Sequence, residues 1–263
     1  MEDQKDPRFR NLRNKWDERA YGKGASLESV LFQNLPLDLN AHIHRIHMRL
    51  IETWLLPRLE SGAQLLDIGC GYGRLGREIK CQRPDISIMG MDFSLNYCRL
   101  HQKELKVPTI CASLSEMPLL PASFDAILAV TALMYVQREE RRNVLRKMIA
   151  LLKPGGVALF LDPGQEFMDF IARMRPFSAK KSTGGSGFTA SEYLELAQIP
   201  GVRVEAVAGM PFFTLALPIL TMMAGLPWVT KVIPPLLDRL DRPLAHWWRF
   251  SFHRAMLLVR DPS

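Results

Sequence analysis

The segment from Gln64 to Gly76, which reads QLLDIGCGYGRLG, constrains the fold of this chain more than any other. A short apolar run ends at Ile68, glycines follow at alternate positions, and helical spacing then begins. Glycines permit a sharp turn and let a ligand approach the backbone closely. A helix that begins near Gly73 directs its free N–H groups at such a ligand, which favours an anionic group in the turn. The segment predicts a strand, loop and helix that bind a nucleotide-type ligand.

Two acidic residues narrow the choice of nucleotide. The glycine spacing alone also fits a dinucleotide fingerprint, but Asp67 stands two residues before the first glycine. Its carboxylate would repel a pyrophosphate and suits a ligand that carries an ammonium or sulfonium group. A second apolar run, 86–91, leads into Asp92, which is placed to accept hydrogen bonds from both hydroxyls of a ribose. This arrangement predicts S-adenosylmethionine, and a plain turn residue is the alternative for Asp92.

Several motifs in order resemble those of the class I S-adenosylmethionine-dependent methyltransferases. Leu66–Gly73 resembles the first motif of that family, Ser123–Ile127 its start of the fourth strand, and Leu152–Gly156 its "LKPGG" turn before the fifth. The resemblance covers roughly residues 45–208. It implies a methyltransferase with an α/β fold: a Rossmann-like sheet of seven strands, mostly parallel with the last antiparallel, and helices on both faces. S-adenosyl-L-methionine is then the expected cofactor.

The chain divides into four parts in this interpretation. They are an N-terminal arm and helical cover (1–60), the cofactor-binding core (61–208), an apolar cap or insertion (209–252) and the last strand (253–263). The expected strands are 64–68, 86–91, 108–112, 125–130, 156–161, 202–208 and 253–260. The main expected helices are 38–60, 73–81, 95–105 and 138–151, and residues 1–24 are expected to form a mobile arm or a loosely packed helix.

The expected cofactor contacts lie in the glycine loop and at the carboxyl ends of the strands, where such sheets bind ligands. They are Asp67, Gly69, Cys70, Gly71, Gly73, Asp92, Phe93, Ser113, Leu114 and Val130. Phe93 is either a stacking partner for adenine or a core residue. The family commonly has an Asp-Ala pair where Ser113 and Leu114 stand here, so the resemblance implies weaker adenine binding. It also places Arg49 near an arginine that holds the cofactor carboxylate in quinone-methylating relatives.

A general base is required only if the acceptor must lose a proton. Tyr21 and His47 are the candidates, both by position. Trp16–Tyr21 resembles a segment that folds over the cofactor in the family, although its aromatic residues would serve equally to fix the arm to the core. His44 and His47 share a helical face, but no third ligand is apparent, so no metal is expected.

The stretch 206–230 contains no charged residue and no histidine. Its length would suit a membrane span, but Pro211, Pro218 and Pro227 interrupt it. We expect it to line the acceptor pocket with Phe212, Phe213, Met222 and Met223, which predicts a lipophilic acceptor such as an isoprenoid, quinone or polyketide-like compound. Contact with a membrane interface and a place in the core remain the alternatives.

Charge and composition exclude few functions by themselves. A net charge of +7 and a pI near 9.4 would permit nucleic acid as a partner, but the basic residues are interleaved with acids. Val130–Val136 also lacks the Asn/Asp-Pro-Pro-aromatic signature of enzymes that methylate base or amide nitrogens, so we expect no nucleic acid. Four unpaired-looking cysteines and a polar N-terminus predict a cytoplasmic chain. The alternatives to an active methyltransferase are a silent cofactor-binding scaffold and an NAD(P)-dependent oxidoreductase.

Overall fold

A computed structural model describes residues 7–33, 35–173, 184–196, 198–223 and 225–262. Its centre is one sheet of seven strands. In chain order they are β1 (Gln64–Ile68), β2 (Ser87–Asp92), β3 (Thr109–Cys111), β4 (Phe124–Val130), β5 (Leu152–Pro163), β6 (Val202–Ala208) and β7 (His253–Arg260). They lie in the order β3-β2-β1-β4-β5-β7-β6, and β7 runs antiparallel to both of its neighbours. The predicted Rossmann-like sheet with an antiparallel last strand is confirmed.

Helices precede, connect and follow these strands. They are α1 (Pro7–Lys23), α2 (Leu27–Val30), α3 (Leu37–Leu50), α4 (Arg74–Gln82), α5 (Leu95–Leu105), α6 (Arg141–Leu151), α7 (Gln165–Arg173), α8 (Ala190–Leu196), α9 (Pro211–Met222) and α10 (Pro227–Asp241). A π-helical turn, Ile51–Leu55, and a 3-10 turn, Leu56–Arg58, continue α3. The helix expected at 38–60 is therefore three consecutive helical segments.

An apolar layer covers each face of the sheet because the strand side chains alternate between the two faces. Leu66 and Ile127 point to one side and pack with Leu145 of α6. Leu65 and Leu128 point to the other side, in a layer shared with α4 and the helical segments after α3. Burial of each such side chain contributes about 1.5–3 kcal/mol. These layers fix the strands and so bring the carboxyl ends of β1, β2 and β4 to one edge.

Helix α1 is a well-packed cover and not a mobile arm. Trp16 and Ala20 are buried on its inner side. The Asp17 carboxylate accepts hydrogen bonds from the Ser94 hydroxyl (2.5 Å) and the Asn96 backbone N–H (3.1 Å), at the N-terminus of α5. The Arg19 guanidinium donates to the carbonyl oxygen of Glu28 at 2.6 Å and so holds α2 beside α1. These polar contacts keep α1 over the carboxyl edge of β2.

The apolar stretch after β6 forms a hairpin of α9 and α10 that packs on α3. Phe213 and Val229 are buried in one cluster with Leu39 of α3. The Asp241 carboxylate accepts hydrogen bonds from the backbone N–H groups of Phe212 (2.6 Å) and Phe213 (2.9 Å), which stabilises the start of α9. Among the described residues, no helix is long and apolar enough to cross a membrane.

Asp162, at the end of β5, is a fully buried carboxyl group. One oxygen accepts a hydrogen bond from the Met134 backbone N–H at 3.1 Å, and the other has no partner among the described residues. Burial raises the pKa of Asp162 to about 8. The folded protein therefore keeps a proton on Asp162 that the unfolded chain loses near pH 3.9.

We expect Asp162→Asn to remove a pH dependence of stability. Between about pH 4 and pH 8 the folded state binds this proton and the unfolded state does not, so wild-type stability falls as pH rises. The asparagine variant keeps an oxygen for Met134 and should lack this slope, which is at most about 1.4 kcal/mol per pH unit. Urea denaturation across this pH range measures it. Asp169→Asn, at an exposed position of α7, should leave the slope intact. A similar slope in Asp162→Asn would contradict the assignment.

Candidate active site

A cavity of about 220 Å³ lies at the carboxyl edge of β1, β2 and β4, beneath α1. Its lining includes Phe9, Leu12, Trp16, Val30, Asp67, Gly69, Cys70, Gly71, Arg74, Asp92, Phe93, Tyr97, Leu114, Val130, Ala132, Tyr135 and Val136. Eight of the ten residues expected in the glycine loop or at the strand ends are among them. The other two are Gly73, which shapes the loop, and Ser113, which lines a neighbouring groove of about 650 Å³ that shares Phe93 with the cavity.

The glycine loop has a backbone that other residues would strain. Gly69, Gly71 and Gly73 have φ values of 68°, 53° and 87°, in the left-handed region. A Cβ on Gly69 would lie 2.8 Å from the Cβ of Ala132, and one on Gly71 would lie 2.8 Å from Val30. The loop is thus shaped by its conformation and by its neighbours, and it leaves its backbone open to the cavity.

Asp92 ties the glycine loop to the end of β2. One of its oxygens accepts a hydrogen bond from the Gly71 backbone N–H at 3.0 Å, and the other from the Ser94 backbone N–H at 2.9 Å. A carboxylate offers about four lone-pair positions, so each oxygen can still accept a ribose hydroxyl. Burial raises the pKa of Asp92 to about 6. Asp92 is therefore an anion at neutral pH, at the wall of the cavity.

Asp67 and Arg74 are an acidic and a basic side chain at the same wall of the cavity, and no ion pair joins them. Asp67 is buried, and one of its oxygens has no partner among the described residues. Burial raises its pKa to about 7. Arg74, the first residue of α4, is also buried and has no carboxylate within 4.0 Å in the described parts of the chain. Burial lowers its pKa to about 10, which leaves it cationic at neutral pH.

The donor set of this wall fits the zwitterionic end of S-adenosylmethionine. Asp67 can accept hydrogen bonds from the ammonium group, and Arg74 can donate to the carboxylate. The ribose hydroxyls then match Asp92. Arg74 is not among the residues expected from the sequence, although its position directly after Gly73, at the start of a helix that faces the ligand, indicated such a role. Leu12, Tyr97 and Tyr135 were not expected there either.

Two imidazoles hold Arg74 in place. Its guanidinium donates to the Nδ1 atoms of His44 (2.8 Å) and His47 (2.9 Å). With Nδ1 accepting, the Nε2–H of His47 donates to Nδ1 of His253 at 2.9 Å. Burial and the charge of Arg74 lower the pKa of His47 well below its usual value. His47 therefore positions Arg74 and has no free lone pair with which to take a proton.

The structure does not bring three of the sequence-predicted residues to the cavity. His47 is fully buried behind Arg74 and does not line it. Tyr21 is 88% exposed, because α1 turns its opposite side, with Trp16 and Ala20, to the core. Arg49 forms an ion pair with Asp238 of α10 and lies at a separate small cavity. Tyr21 and His47 are therefore not placed to act as bases, and Arg49 is not placed to bind the cofactor.

The apolar stretch does not line the cavity either. Phe213 is fully buried, with its ring 5.0 Å from that of His42 and 6.2 Å from that of Phe252. Phe212 is half-buried, and Met222 and Met223 are exposed. All four lie on the hairpin, which packs against α3. Within the described parts of the chain, no group of three or more His, Cys, Asp or Glu residues is arranged to hold a metal ion.

Comparison with known proteins agrees with this geometry. Residues 65–156 match a family model described as a methyltransferase domain. The O-methyltransferase rstn1 of Aspergillus nomiae is 29% identical over 171 residues, which are 56% of this chain and 75% of that enzyme. The sterol 24-C-methyltransferase of Clavispora lusitaniae is 31% identical over 106 residues, 38% of this chain and 28% of that enzyme. The chain spans half the length of the demethylmenaquinone methyltransferase of Listeria welshimeri, to which it is 31% identical over 124 residues, 43% of this chain.

The same fold occurs in solved structures. Geranyl diphosphate C-methyltransferase from Streptomyces coelicolor A3(2) superposes with a TM-score of 0.56 at 16% identity, covering 86% of this chain and 82% of that one. At that identity the likeness concerns the fold alone. The strand order, the glycine loop between two buried carboxylates and the matched domain agree with one another. Residues 65–156 of this chain are therefore a methyltransferase domain, and the sheet around them has the Rossmann-like fold of the class I S-adenosylmethionine-dependent methyltransferases.

Proposed function

We propose that this enzyme methylates a lipophilic small molecule that binds between α1 and the segment after β4. The observation that carries the proposal is the composition of that side of the cavity. Its lining there is mainly apolar or aromatic, with Phe9, Leu12, Trp16, Val30, Tyr135 and Val136, and four polar side chains stand among them: Arg8, Thr131, Gln137 and Glu140. Relatives named sterol 24-C-methyltransferase and demethylmenaquinone methyltransferase have names that refer to lipophilic compounds, which supports the same class.

In this proposal the polar wall of the cavity binds the cofactor, and the apolar wall binds the acceptor. Asp92 would hold the ribose, Phe93 and Leu114 would contact the adenine, and Asp67 and Arg74 would hold the amino acid end. The cofactor supplies a methyl group on a positively charged sulfur, which leaves as a neutral thioether after in-line displacement. The chain contributes alignment and the exclusion of water, for which about 7–11 kcal/mol is available.

The described lining of the cavity contains neither histidine nor lysine, so its possible bases are the carboxylates of Asp67, Asp92 and Glu140. Asp67 and Asp92 are assigned to the cofactor above, which leaves Glu140. Burial raises the pKa of Tyr135 well above its usual value, so its phenol stays neutral and can donate a hydrogen bond. We therefore favour an acceptor with an electron-rich atom of its own, such as an alkene carbon or an acidic phenol.

The test is a screen of isoprenoid, quinol and polyketide-like phenol acceptors with methyl-labelled S-adenosylmethionine. We expect acceptor-dependent formation of S-adenosylhomocysteine, with the label recovered in the organic phase. Leu12→Ser places a hydroxyl in the apolar wall and should raise the acceptor KM about tenfold, with the cofactor Kd unchanged. Asn11→Ser, at an exposed neighbouring position of α1, is the matched control. Transfer only to water-soluble acceptors, with no effect of Leu12→Ser, would contradict the proposal.

A further inference from the structure

The hairpin of α9 and α10 exposes two apolar stripes. On α9 the stripe is Leu215, Ile219 and Met222, and on α10 it is Trp228, Val232, Leu236 and Leu240, each 48–61% exposed. Spacings of three and four residues place each set on one side of its helix. The opposite sides, with Phe213, Leu217 and Val229, pack on α3, so both stripes face away from the core. We call the two stripes together the hairpin face.

The exposed charges within residues 209–250 have one sign. Residues 209–250 contain two acidic residues, and both are buried: Asp238 binds Arg49 and Arg242, and Asp241 accepts hydrogen bonds at the start of α9. The exposed charged side chains of this segment are all basic: Lys231, Arg239, Arg242 and Arg249. Outside this segment, the half-buried Asp38 of α3 lies beside Thr230 of α10, at 3.5 Å. An apolar surface whose own exposed charges are basic complements a bilayer that contains anionic lipids. A second copy of the same face would bring like charges together.

We propose that the hairpin face docks on the surface of an anionic bilayer, with α9 and α10 lying in the headgroup layer. Monomers in water seldom expose contiguous apolar surface of this kind. Trp228 stands exposed at the start of α10, and tryptophan is enriched at membrane–water interfaces. Neither helix spans a bilayer, so the contact is peripheral.

The docking surface is connected to the active-site cavity through α2. Val30 packs against the cluster beneath the hairpin and also lines the cavity. In the docked state the hairpin would therefore lie between the membrane and the α2 side of the cavity. The inference goes beyond the acceptor class proposed above and does not depend on it.

Co-sedimentation of the whole chain with vesicles tests the proposal. We expect binding to mixed phosphatidylglycerol and phosphatidylcholine vesicles, weakened by salt, and much weaker binding to phosphatidylcholine alone. Ile219→Ser with Val232→Ser, one residue from each stripe, should lower vesicle affinity at least about tenfold. Lys231→Gln with Arg239→Gln should lower affinity for the anionic vesicles on the order of tenfold.

The matched control is Leu120→Ser, which changes a leucine that is 77% exposed in the segment between β3 and β4. It should bind vesicles as the wild type does, and all variants should keep the wild-type Tm. Failure of the wild type to bind anionic vesicles would overturn the proposal, as would undiminished binding by the Ile219→Ser, Val232→Ser variant. A wild-type dimer that this variant converts to a monomer, without vesicle binding, would instead assign the hairpin face to a second copy.

Discussion

Replacement of Asp92 by alanine is expected to lower the affinity for S-adenosylmethionine at least about a hundredfold. The carboxylate is placed to accept hydrogen bonds from two ribose hydroxyls, and each bond to a charged group contributes about 1.5–3 kcal/mol. The same side chain holds the Gly71 and Ser94 backbone N–H groups, so its loss also frees the glycine loop. Isothermal titration with S-adenosylmethionine and S-adenosylhomocysteine measures the change.

Asp85→Ala is the matched control, because Asp85 is an exposed acid that precedes the start of β2, whereas Asp92 is the last residue of that strand. It should leave the affinity unchanged. In the wild type, affinity should also fall as the pH drops below about 6, because protonation of Asp92 removes the charge. An Asp92→Ala variant that folds and binds the cofactor normally would show that Asp92 is only a turn residue.

The strands and the cofactor loop could be predicted because their signals are local. The closely spaced glycines and the acids that follow apolar runs can be recognised within a single stretch of sequence. The second strand, expected at 86–91, lies at 87–92. The fifth was expected from 156 but begins at Leu152, since Leu152 pairs with Phe124 of β4. That pairing joins residues far apart in the chain, so the local "LKPGG" pattern could not reveal it.

The residues assigned by position alone failed for a physical reason. The sequence number of a single residue does not show on which side of a helix its side chain lies, because successive side chains are rotated by about 100°. Tyr21 thus points to solvent although Ala20 is buried. Arg49 meets Asp238, a partner 189 residues away that only the fold brings near.

The apolar stretch shows the same limit more strongly. Residues 206–230 contain too few polar side chains to show by their spacing which side faces solvent. A pocket wall and an exposed surface could therefore not be distinguished from the sequence. Packing on α3 decides the matter: Phe213 is buried, whereas Ile219 and Met222 are exposed. We accordingly propose that the acceptor binds at α1 and the segment after β4, and not at the hairpin.

Replacement of Arg74 by methionine is expected to separate folding stability from cofactor affinity. Arg74 is a buried cation whose hydrogen-bond partners among the described residues are two imidazoles and no carboxylate, so its desolvation is poorly compensated in the free protein. An apolar side chain of similar length removes that penalty, while the two imidazole nitrogens lose a donor. We expect these effects to offset each other within about 1 kcal/mol. The affinity for S-adenosylhomocysteine should fall at least about tenfold, since a charge-assisted bond to its carboxylate is lost.

Two comparisons distinguish a contact with the cofactor carboxylate from a structural role of Arg74. Arg77→Met, on the exposed side of the same helix, should change neither stability nor affinity. 5′-Methylthioadenosine, which lacks the amino acid end, should bind Arg74→Met and the wild type equally well. Titration calorimetry with both ligands and urea denaturation supply the measurements. Equal losses of affinity for the two ligands, accompanied by a fall in stability, would mean that Arg74 supports the glycine loop and does not contact the carboxylate.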